Sequence, residues 1–187
     1  ENYSLKVVLD AESKYRGQLF KLAKRIISKK QKNKIVLLGG PSCAGKTTTG
    51  LLLKQILQRL NKDAIIIGMD DFFINRKDTP LLPDGTRDYD NLGTVNMQQL
   101  EESFTELFTK GRAKFPKYDF REGINIPKFY DYELKNNTII IFEGVFVHNP
   151  EIIKRIGTSE YFSVYASTLS GFEYNGLQQG SCVLFAA

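Results

Sequence analysis

The chain is poor in the residues that build disulfide frameworks and zinc sites. Its 187 residues include two cysteines, Cys43 and Cys182, one histidine and no tryptophan. Two cysteines alone supply neither a disulfide framework nor a full set of zinc ligands. Because a reducing compartment is the default for a chain with so few cysteines, we expect a cytoplasmic protein.

Long apolar runs are missing as well. No stretch approaches the roughly 18 consecutive apolar residues of a membrane-spanning helix. No secretory signal opens the sequence, and its first residue is Glu1, as expected of a fragment or a processed chain. With 42% hydrophobic residues, the chain is nevertheless long and apolar enough for one α/β domain with a core. We expect no membrane partner.

The net charge of +5 leaves two interpretations open. The densest basic cluster, between Lys24 and Lys34, lies on and after a predicted amphipathic helix. The apolar stripe of that helix consists of Leu19, Leu22, Ala23, Ile26 and Ile27. Nucleic-acid binding is one interpretation, but a solvated helix face is favoured, so no nucleic-acid partner is expected. A mildly basic surface also suits a protein that binds nucleotide phosphates.

The most specific pattern in the chain is a phosphate-binding loop. Residues 40–47 read Gly-Pro-Ser-Cys-Ala-Gly-Lys-Thr and fit G-x-x-x-x-G-K-[ST] without a mismatch. The apolar run 35–38 precedes the loop as a strand, and leucines at three- and four-residue steps follow it as a helix. The predicted nucleotide-binding residues are Gly40, Ser42, Cys43, Ala44, Gly45, Lys46, Thr47 and Thr48.

The groups of this loop have different predicted roles in binding a nucleotide. Backbone N–H groups at a helix N-terminus bind phosphate oxygens, while Lys46 reaches the outer phosphates and so takes part in catalysis. The Thr47 hydroxyl is a candidate Mg²⁺ ligand. Cys43 is either redox-sensitive or a small residue that fills the loop, and the second interpretation is favoured.

The remaining pattern predicts an α/β fold. Strands are expected at 5–9, 35–38, 64–67, 138–142 and 161–165, and helices at 12–28, from the phosphate loop to Leu60, and from Asn96 to Gly111. Residues 74–95 form a long irregular segment, and residues 115–133 form a hairpin that turns near Glu122. Continuous apolar strands alternating with helices predict a mostly parallel sheet with helices on both faces.

Acidic residues follow two of the predicted strands. Asp70 and Asp71 come after the strand at 64–67, and Glu143 comes after the strand at 138–142. Ligands of open α/β sheets bind at the carboxyl ends of strands. Asp70 is therefore the candidate base that activates an acceptor hydroxyl, and Glu143 is the candidate Mg²⁺ ligand beside Thr47. Asp71 is interpreted as a helix cap or a supporting group.

Five motifs occur in the order typical of one family. They are the phosphate loop, Met69 to Phe73, Tyr89-Asp90, Pro116 to Phe120, and Phe142 to Gly144. From about residue 34 to 166 the chain resembles the uridine kinase and phosphoribulokinase family of P-loop kinases, in particular its longer uridine-kinase-like members. The resemblance divides the chain into a lead-in at 1–30, which is also interpretable as the end of an upstream region, and a P-loop kinase domain at 31–187.

The resemblance implies ATP- and Mg²⁺-dependent transfer of a phosphoryl group to a nucleoside 5′-hydroxyl, with uridine or cytidine as the leading acceptor. It implies that Asp70 is the catalytic base, that Asp90 holds the ribose hydroxyls, and that Tyr118 and Phe73 lie beside the acceptor. A core aromatic is an equal alternative for Tyr118. The expected partners are thus ATP and a small-molecule acceptor, and a homo-oligomer stays open.

The chain departs from this family in two places. Uridine kinases carry a histidine and an arginine shortly after Tyr-Asp-Phe, but residues 121–125 hold neither at the matching positions, and the lone His148 is interpreted as a surface or loop residue. The arginine-rich lid of the family is also missing, since no arginine follows Arg155. Three explanations stay open: the lid was lost, the chain was truncated, or the lid was left out of this sequence.

Two alternatives therefore remain beside a nucleoside kinase. One is a nucleotide-binding module without a lid and with little turnover. The other is a related kinase that acts on nicotinamide riboside, pantothenate or ribulose phosphate.

Overall fold

The computed structural model describes residues 2–28, 34–168, 173–174, 177–178 and 182–186, with side chains for 5–28 and 35–167. The α-helices are α1 (Asn2–Ser28), α2 (Lys46–Arg59), α3 (Met97–Lys110) and α4 (Pro150–Arg155). The strands are β1 (Lys34–Gly39), β2 (Ala64–Gly68), β3 (Arg112–Asp119), β4 (Ile124–Glu133), β5 (Ile139–Glu143), β6 (Tyr161–Thr168), β7 (Glu173–Tyr174), β8 (Leu177–Gln178) and β9 (Cys182–Ala186). Short 3₁₀ turns occupy Met69–Phe72, Arg76–Asp78 and Leu92–Thr94.

The main sheet confirms the predicted mostly parallel α/β architecture. Its strand order is β2-β5-β1-β6-β9, and the first four strands run parallel. Among the described strands of this sheet, only the edge strand β9 pairs antiparallel, with β6. Because β5 lies between β1 and β2, Glu143 is level with both Leu38 and Gly68. The register thus aligns the ends of three strands at one edge of the sheet.

Buried side chains of the sheet form a core on each of its two faces. Along β1, Ile35 and Leu37 face one core, and Val36 and Leu38 face the other. This alternation follows from the two-residue period of a strand. The first core is filled by α3, α4 and the β3–β4 hairpin, and the second by α1 and α2.

The predicted strand at residues 5–9 is wrong, because this segment belongs to α1. Leu5, Val8 and Leu9 are each close to 60% exposed, so they have no sheet to join. No proline interrupts the chain before Ser28. Extending an existing helix costs less than starting a separate element, and the helix therefore begins at Asn2.

Helix α4 was not predicted, although its start has a recognisable signal. Asn149 accepts a hydrogen bond from the Glu151 backbone N–H, and Pro150 occupies the first helical turn. At the start of α3, Asn96 likewise accepts from the Gln99 N–H. The reciprocal half of a capping box is missing there, since the Asn96 N–H donates to Phe72 instead.

The apolar stripe of α1 makes this helix part of the core. Leu19, Leu22, Ala23 and Ile26 are at most 5% exposed and pack with β1, β6 and α2. None of the helices in the described residues is long and apolar enough to cross a bilayer.

Two leucines of α1 provide a matched test of this packing. Leu19→Ala is expected to lower the free energy of unfolding by about 2–5 kcal/mol, since Leu19 is fully buried. Leu9→Ala, on the exposed part of the same helix, is expected to change it by less than about 0.5 kcal/mol. Urea unfolding of both variants measures the difference, and equal losses would contradict a core role for the helix.

Candidate active site

The phosphate loop has the conformation that the sequence pattern predicts. It connects β1 to α2, and Gly45 at the N-terminus of α2 has a left-handed φ of 78°. Cys43 also has a positive φ, of 61°, and its free thiol is exposed. The Lys46 ammonium donates to the Pro41 carbonyl oxygen over 2.9 Å, which folds the side chain across the loop. The loop therefore presents a lysine and a helix N-terminus to the same space.

Close contacts beneath the loop fix its backbone. Gly40 has a φ of +148°, and a Cβ atom there would lie 2.1 Å from the Ala166 carbonyl oxygen. His148 lies against Gly39 in the same way, with its Nε2 atom 3.2 Å from the Leu37 carbonyl oxygen. His148 is thus a half-buried loop residue that supports the end of β1.

A hydroxyl–carboxylate pair joins the loop to the neighbouring strand. The Thr47 hydroxyl donates to Glu143 Oε1 over 2.9 Å. Mg²⁺ prefers oxygen ligands and is often bound by one or two carboxylates together with substrate phosphates. This donor set fits Mg²⁺ chemistry, although no group of three or more His, Cys, Asp or Glu side chains in the described residues could hold a metal ion alone.

Asp70 lies at the end of β2 in a half-buried position. Its Oδ1 atom is shielded from solvent and has no hydrogen-bond partner among the described residues. Burial, with a smaller contribution from the negative charge of Glu143, raises the pKa of Asp70 to about 6, while Lys46 opposes this shift. A buried acceptor without a donor is costly, so this carboxyl is prepared for a ligand that donates a hydrogen bond.

The raised pKa predicts how stability depends on pH. Because the folded protein holds the Asp70 proton more tightly than the unfolded chain, this contribution is present below pH 3.8 and is lost as the pH rises through about 6. In the wild type, this loss lowers the free energy of unfolding by up to about 3 kcal/mol between pH 3.8 and about 6. In Asp70→Asn, which cannot titrate, this part of the decline is expected to be absent. Urea unfolding of both proteins from pH 4 to 7 measures it, and parallel curves would contradict the shift.

Asp71 connects the end of β2 to the β3–β4 hairpin. Its Oδ1 atom accepts from the Tyr118 backbone N–H over 3.1 Å. Burial raises the pKa of Asp71, and the Tyr118 hydrogen bond and the nearby Lys117 oppose this shift. Asp71 thus acts as a structural link between Met69–Phe72 and β3.

Two of the predicted acceptor residues, Tyr118 and Phe73, contact each other. Tyr118 is 6% exposed, and its ring meets Phe73 edge-on with the centroids 5.8 Å apart. The backbone of both residues is tied to the strand end, since the Tyr118 N–H donates to Asp71 Oδ1 and the Phe73 N–H donates to the Asp70 carbonyl oxygen. Asp90 is exposed in the irregular segment, and no hydrogen bond or ion pair in the described residues joins its carboxylate to Asp70, Lys46 or Glu143.

Two residues that link the hairpin to the chain after β2, Asn125 and Arg76, were not identified from the sequence. The Asn125 side-chain amide donates to the carbonyl oxygens of Asp71 and Phe73, each over 3.0 Å. Arg76 donates from Nη2 to the Phe120 carbonyl oxygen, and its backbone N–H donates to Gly123. No motif marks either residue, because their partners are more than 40 positions away in sequence.

Residues 121–125, which depart from the uridine kinase pattern, form the turn of the β3–β4 hairpin and the start of β4. Asp119 Oδ1 accepts from the backbone N–H groups of Arg121 and Glu122 and so closes this turn. Gly123 follows with a φ of +70°. The guanidinium beside the turn comes from Arg76, in another part of the chain. The expectation that the family's arginine-rich lid is missing concerns residues after 168, most of which lie outside the described part of the chain.

Comparison with protein families gives one match that covers well over half of the chain. The model of the group described as the phosphoribulokinase / uridine kinase family matches residues 35–170. A curated uridine kinase from Ureaplasma urealyticum is 25% identical over 130 residues, which cover 68% of this chain and 60% of that protein. One from Mycoplasma genitalium is 26% identical over 132 residues, covering 71% and 61%. The chain thus spans about 60% of the length of these relatives.

Solved structures share the fold. A possible uridine kinase from Bacillus stearothermophilus superimposes with a TM-score of 0.63 and 23% identity, covering 78% of this chain and 79% of that one. A putative fructose transport system kinase from a Silicibacter species gives a TM-score of 0.60 at 19% identity, covering 73% and 68%. At these identities the likeness concerns the P-loop kinase fold and not the acceptor.

Proposed function

The chain belongs to the phosphoribulokinase and uridine kinase family, and from this premise we propose that it transfers the γ-phosphoryl group of ATP to the 5′-hydroxyl of a nucleoside, with uridine or cytidine tested first. The observation that carries this proposal is the buried, unpartnered Oδ1 atom of Asp70 beside the Thr47–Glu143 pair and Lys46. The curated uridine kinases support the choice of acceptor.

The nucleotide half of the reaction is assigned to the phosphate loop. The backbone N–H groups of Gly40 and of residues 42–48 bind phosphate oxygens, and Lys46 exchanges the Pro41 carbonyl for the outer phosphates. Thr47 and Glu143 would hold Mg²⁺ through their oxygen atoms. When bound, Mg²⁺ neutralises negative charge on the phosphates.

The acceptor half is assigned to Asp70 and the neighbouring rings. Asp70 accepts the proton of the acceptor hydroxyl as the hydroxyl oxygen bonds to the γ-phosphorus and ADP leaves. The half-buried ring of Phe73, three residues after Asp70, is the candidate aromatic surface for a planar acceptor, and the buried Tyr118 ring supports it edge-on. Asp90 remains a candidate for binding the sugar hydroxyls if the exposed segment around it closes over the acceptor.

A second candidate function is a related small-molecule kinase. It is favoured by the hairpin turn, where Gly123 and Asn125 are found together with the guanidinium of Arg76. The positive charge at this turn favours an acceptor that carries a negative charge over a neutral pyrimidine nucleoside. It disfavours the cationic nicotinamide riboside.

The test is ATP turnover with Mg²⁺, measured for the protein against neutral nucleosides, phosphorylated sugars, carboxylate acceptors and no acceptor. Turnover that requires uridine or cytidine supports the first proposal. Turnover with another acceptor alone supports the second. Nucleotide binding without turnover on any acceptor would count against both and favour a binding module.

A further inference from the structure

A positively charged depression lies beside the hairpin turn, and no residue of the phosphate loop lines it. Its volume is about 430 Å³, and it is formed by the chain after Phe73 and by the turn between β3 and β4. Three of its lining residues are cationic, namely Arg76, Lys77 and Arg87, and one is anionic, Glu122. The lining therefore carries an excess of positive charge.

Neutral backbone groups hold the two guanidinium groups in place. Arg76 Nη2 donates to the Phe120 carbonyl oxygen over 2.5 Å. Arg87 Nη1 donates to the carbonyl oxygens of Lys77 and Thr79, over 3.0 and 3.4 Å. A guanidinium has five N–H donors, so both retain donors after these contacts.

None of the three cations has a carboxylate partner among the residues that the structure describes. In the part of the chain whose side chains are described, the ion pairs involve Arg16, Lys110, Lys135 and Arg155, but not Arg76, Lys77 or Arg87. Arg155, for comparison, contacts both Glu101 and Glu151. Cations gathered around one depression repel each other unless an anion joins them.

The turn itself is shaped around Arg76. Gly123 has a φ of +70°, and a Cβ atom there would lie 2.8–2.9 Å from side-chain atoms of Arg76. A residue larger than glycine would push the guanidinium away from this side of the depression. The glycine thus keeps Arg76 in position.

We propose that this depression, defined by Arg76, Lys77 and Arg87, binds an anionic group, either a phosphate or a carboxylate. Guanidinium forks and ammonium groups bind these two anions through charge-assisted hydrogen bonds. Glu122 lies at the exposed rim and does not cancel the three positive charges.

The anionic group has two possible sources. Phe120, which accepts from Arg76, packs edge-on against Tyr118 at 4.9 Å, and Tyr118 packs against Phe73. The depression therefore adjoins the candidate acceptor site, and an acceptor with its own phosphate or carboxylate is the first source. This assignment rests on the proposed kinase function. A separate small anion is the second source and does not depend on it.

The first experiment measures binding without turnover. Inorganic phosphate is titrated into ¹⁵N-labelled protein, and saturable shifts are expected for the backbone amides of Arg76 and Gly123. Lys77→Gln is expected to weaken this affinity about tenfold or more, whereas Lys77→Arg keeps it. Lys154→Gln, which removes another exposed lysine, is the matched control and leaves it unchanged.

Two outcomes of this titration would overturn the proposal. One is shifts confined to Gly45 and its neighbours, which would report phosphate in the phosphate loop alone. The other is equal affinity of the Lys77→Gln and wild-type proteins for the site at Arg76 and Gly123. Lys77 is exposed and its side chain donates no hydrogen bond in the described residues, so the substitution is compatible with folding.

The second experiment identifies the source of the anion. If the acceptor carries it, Lys77→Gln raises KM for phosphorylated or carboxylated acceptors about tenfold with little change in kcat, and leaves KM for neutral nucleosides unchanged. If a separate anion binds, phosphate affinity falls in Lys77→Gln while KM for every acceptor stays the same. Absence of turnover on all acceptors would count against the proposed function alone, since the phosphate titration is read independently.

Discussion

Replacing Asp70 with asparagine is expected to lower kcat by about 10²–10⁴-fold. Asparagine keeps the shape of the side chain but cannot accept a proton from the acceptor hydroxyl. ATP binding should stay nearly intact, because the phosphate contacts assigned to Lys46 and the loop amides do not involve Asp70. Steady-state turnover gives kcat, and calorimetric titration with ATP gives the affinity.

A control variant separates this effect from a general loss of charge. Asp10→Asn removes an exposed carboxylate on α1, far along the chain from the candidate site, and should leave both quantities unchanged. If Asp70→Asn turned over as fast as the wild type, Asp70 would not be the base. A parallel loss of ATP affinity would instead indicate a role in nucleotide binding.

Gly40→Ala is expected to give the largest loss of stability among single substitutions in the phosphate loop, about 2–6 kcal/mol. Alanine there combines a φ of +148° with a Cβ atom 2.1 Å from the Ala166 carbonyl oxygen. Since the obstacle is backbone of β6, neither side can yield without disturbing the strand that flanks the loop. Urea unfolding without nucleotide measures the loss.

Gly157→Ala provides the matched control for this substitution. Gly157 also has a positive φ, of +67°, but a Cβ atom there meets nothing within 4 Å. Only the backbone strain remains, which costs about 1–2 kcal/mol. If the two variants lost the same stability, the contact with Ala166 would contribute nothing to the position of the loop.

The features that could be predicted from the sequence are those encoded by neighbouring residues. The phosphate loop combines a strand, a glycine turn and a helix within about 25 positions, from Lys34 to Arg59. The closeness of Asp70 and Glu143 also follows from the sequence, because parallel strands end at the same edge of a sheet. The predicted strand at residues 5–9 is wrong because local β propensity does not determine whether a partner strand is within reach, and this segment extends α1 instead.

The features that could not be predicted depend on contacts between distant segments. Asn125 reaches the carbonyl oxygens of Asp71 and Phe73 across more than 50 positions, and Arg76 fits against Gly123. Glycine and asparagine in a predicted turn are expected on turn chemistry alone. Nothing in that local pattern indicates that they also hold an arginine and the strand end that carries Asp70.

The β3–β4 hairpin forms a two-stranded sheet of its own, outside the main sheet. Its attachments to the strand end are few and specific, including Asp71 to Tyr118, Asn125 to Phe73, and the Tyr132 hydroxyl to the Ile66 carbonyl oxygen. The phosphate-binding machinery, by contrast, is fixed by the register of the parallel strands. Phe115 anchors the hairpin in the core, while separate hydrogen bonds tie its turn to the strand end. The hairpin turn and the phosphate loop are therefore positioned by different sets of contacts.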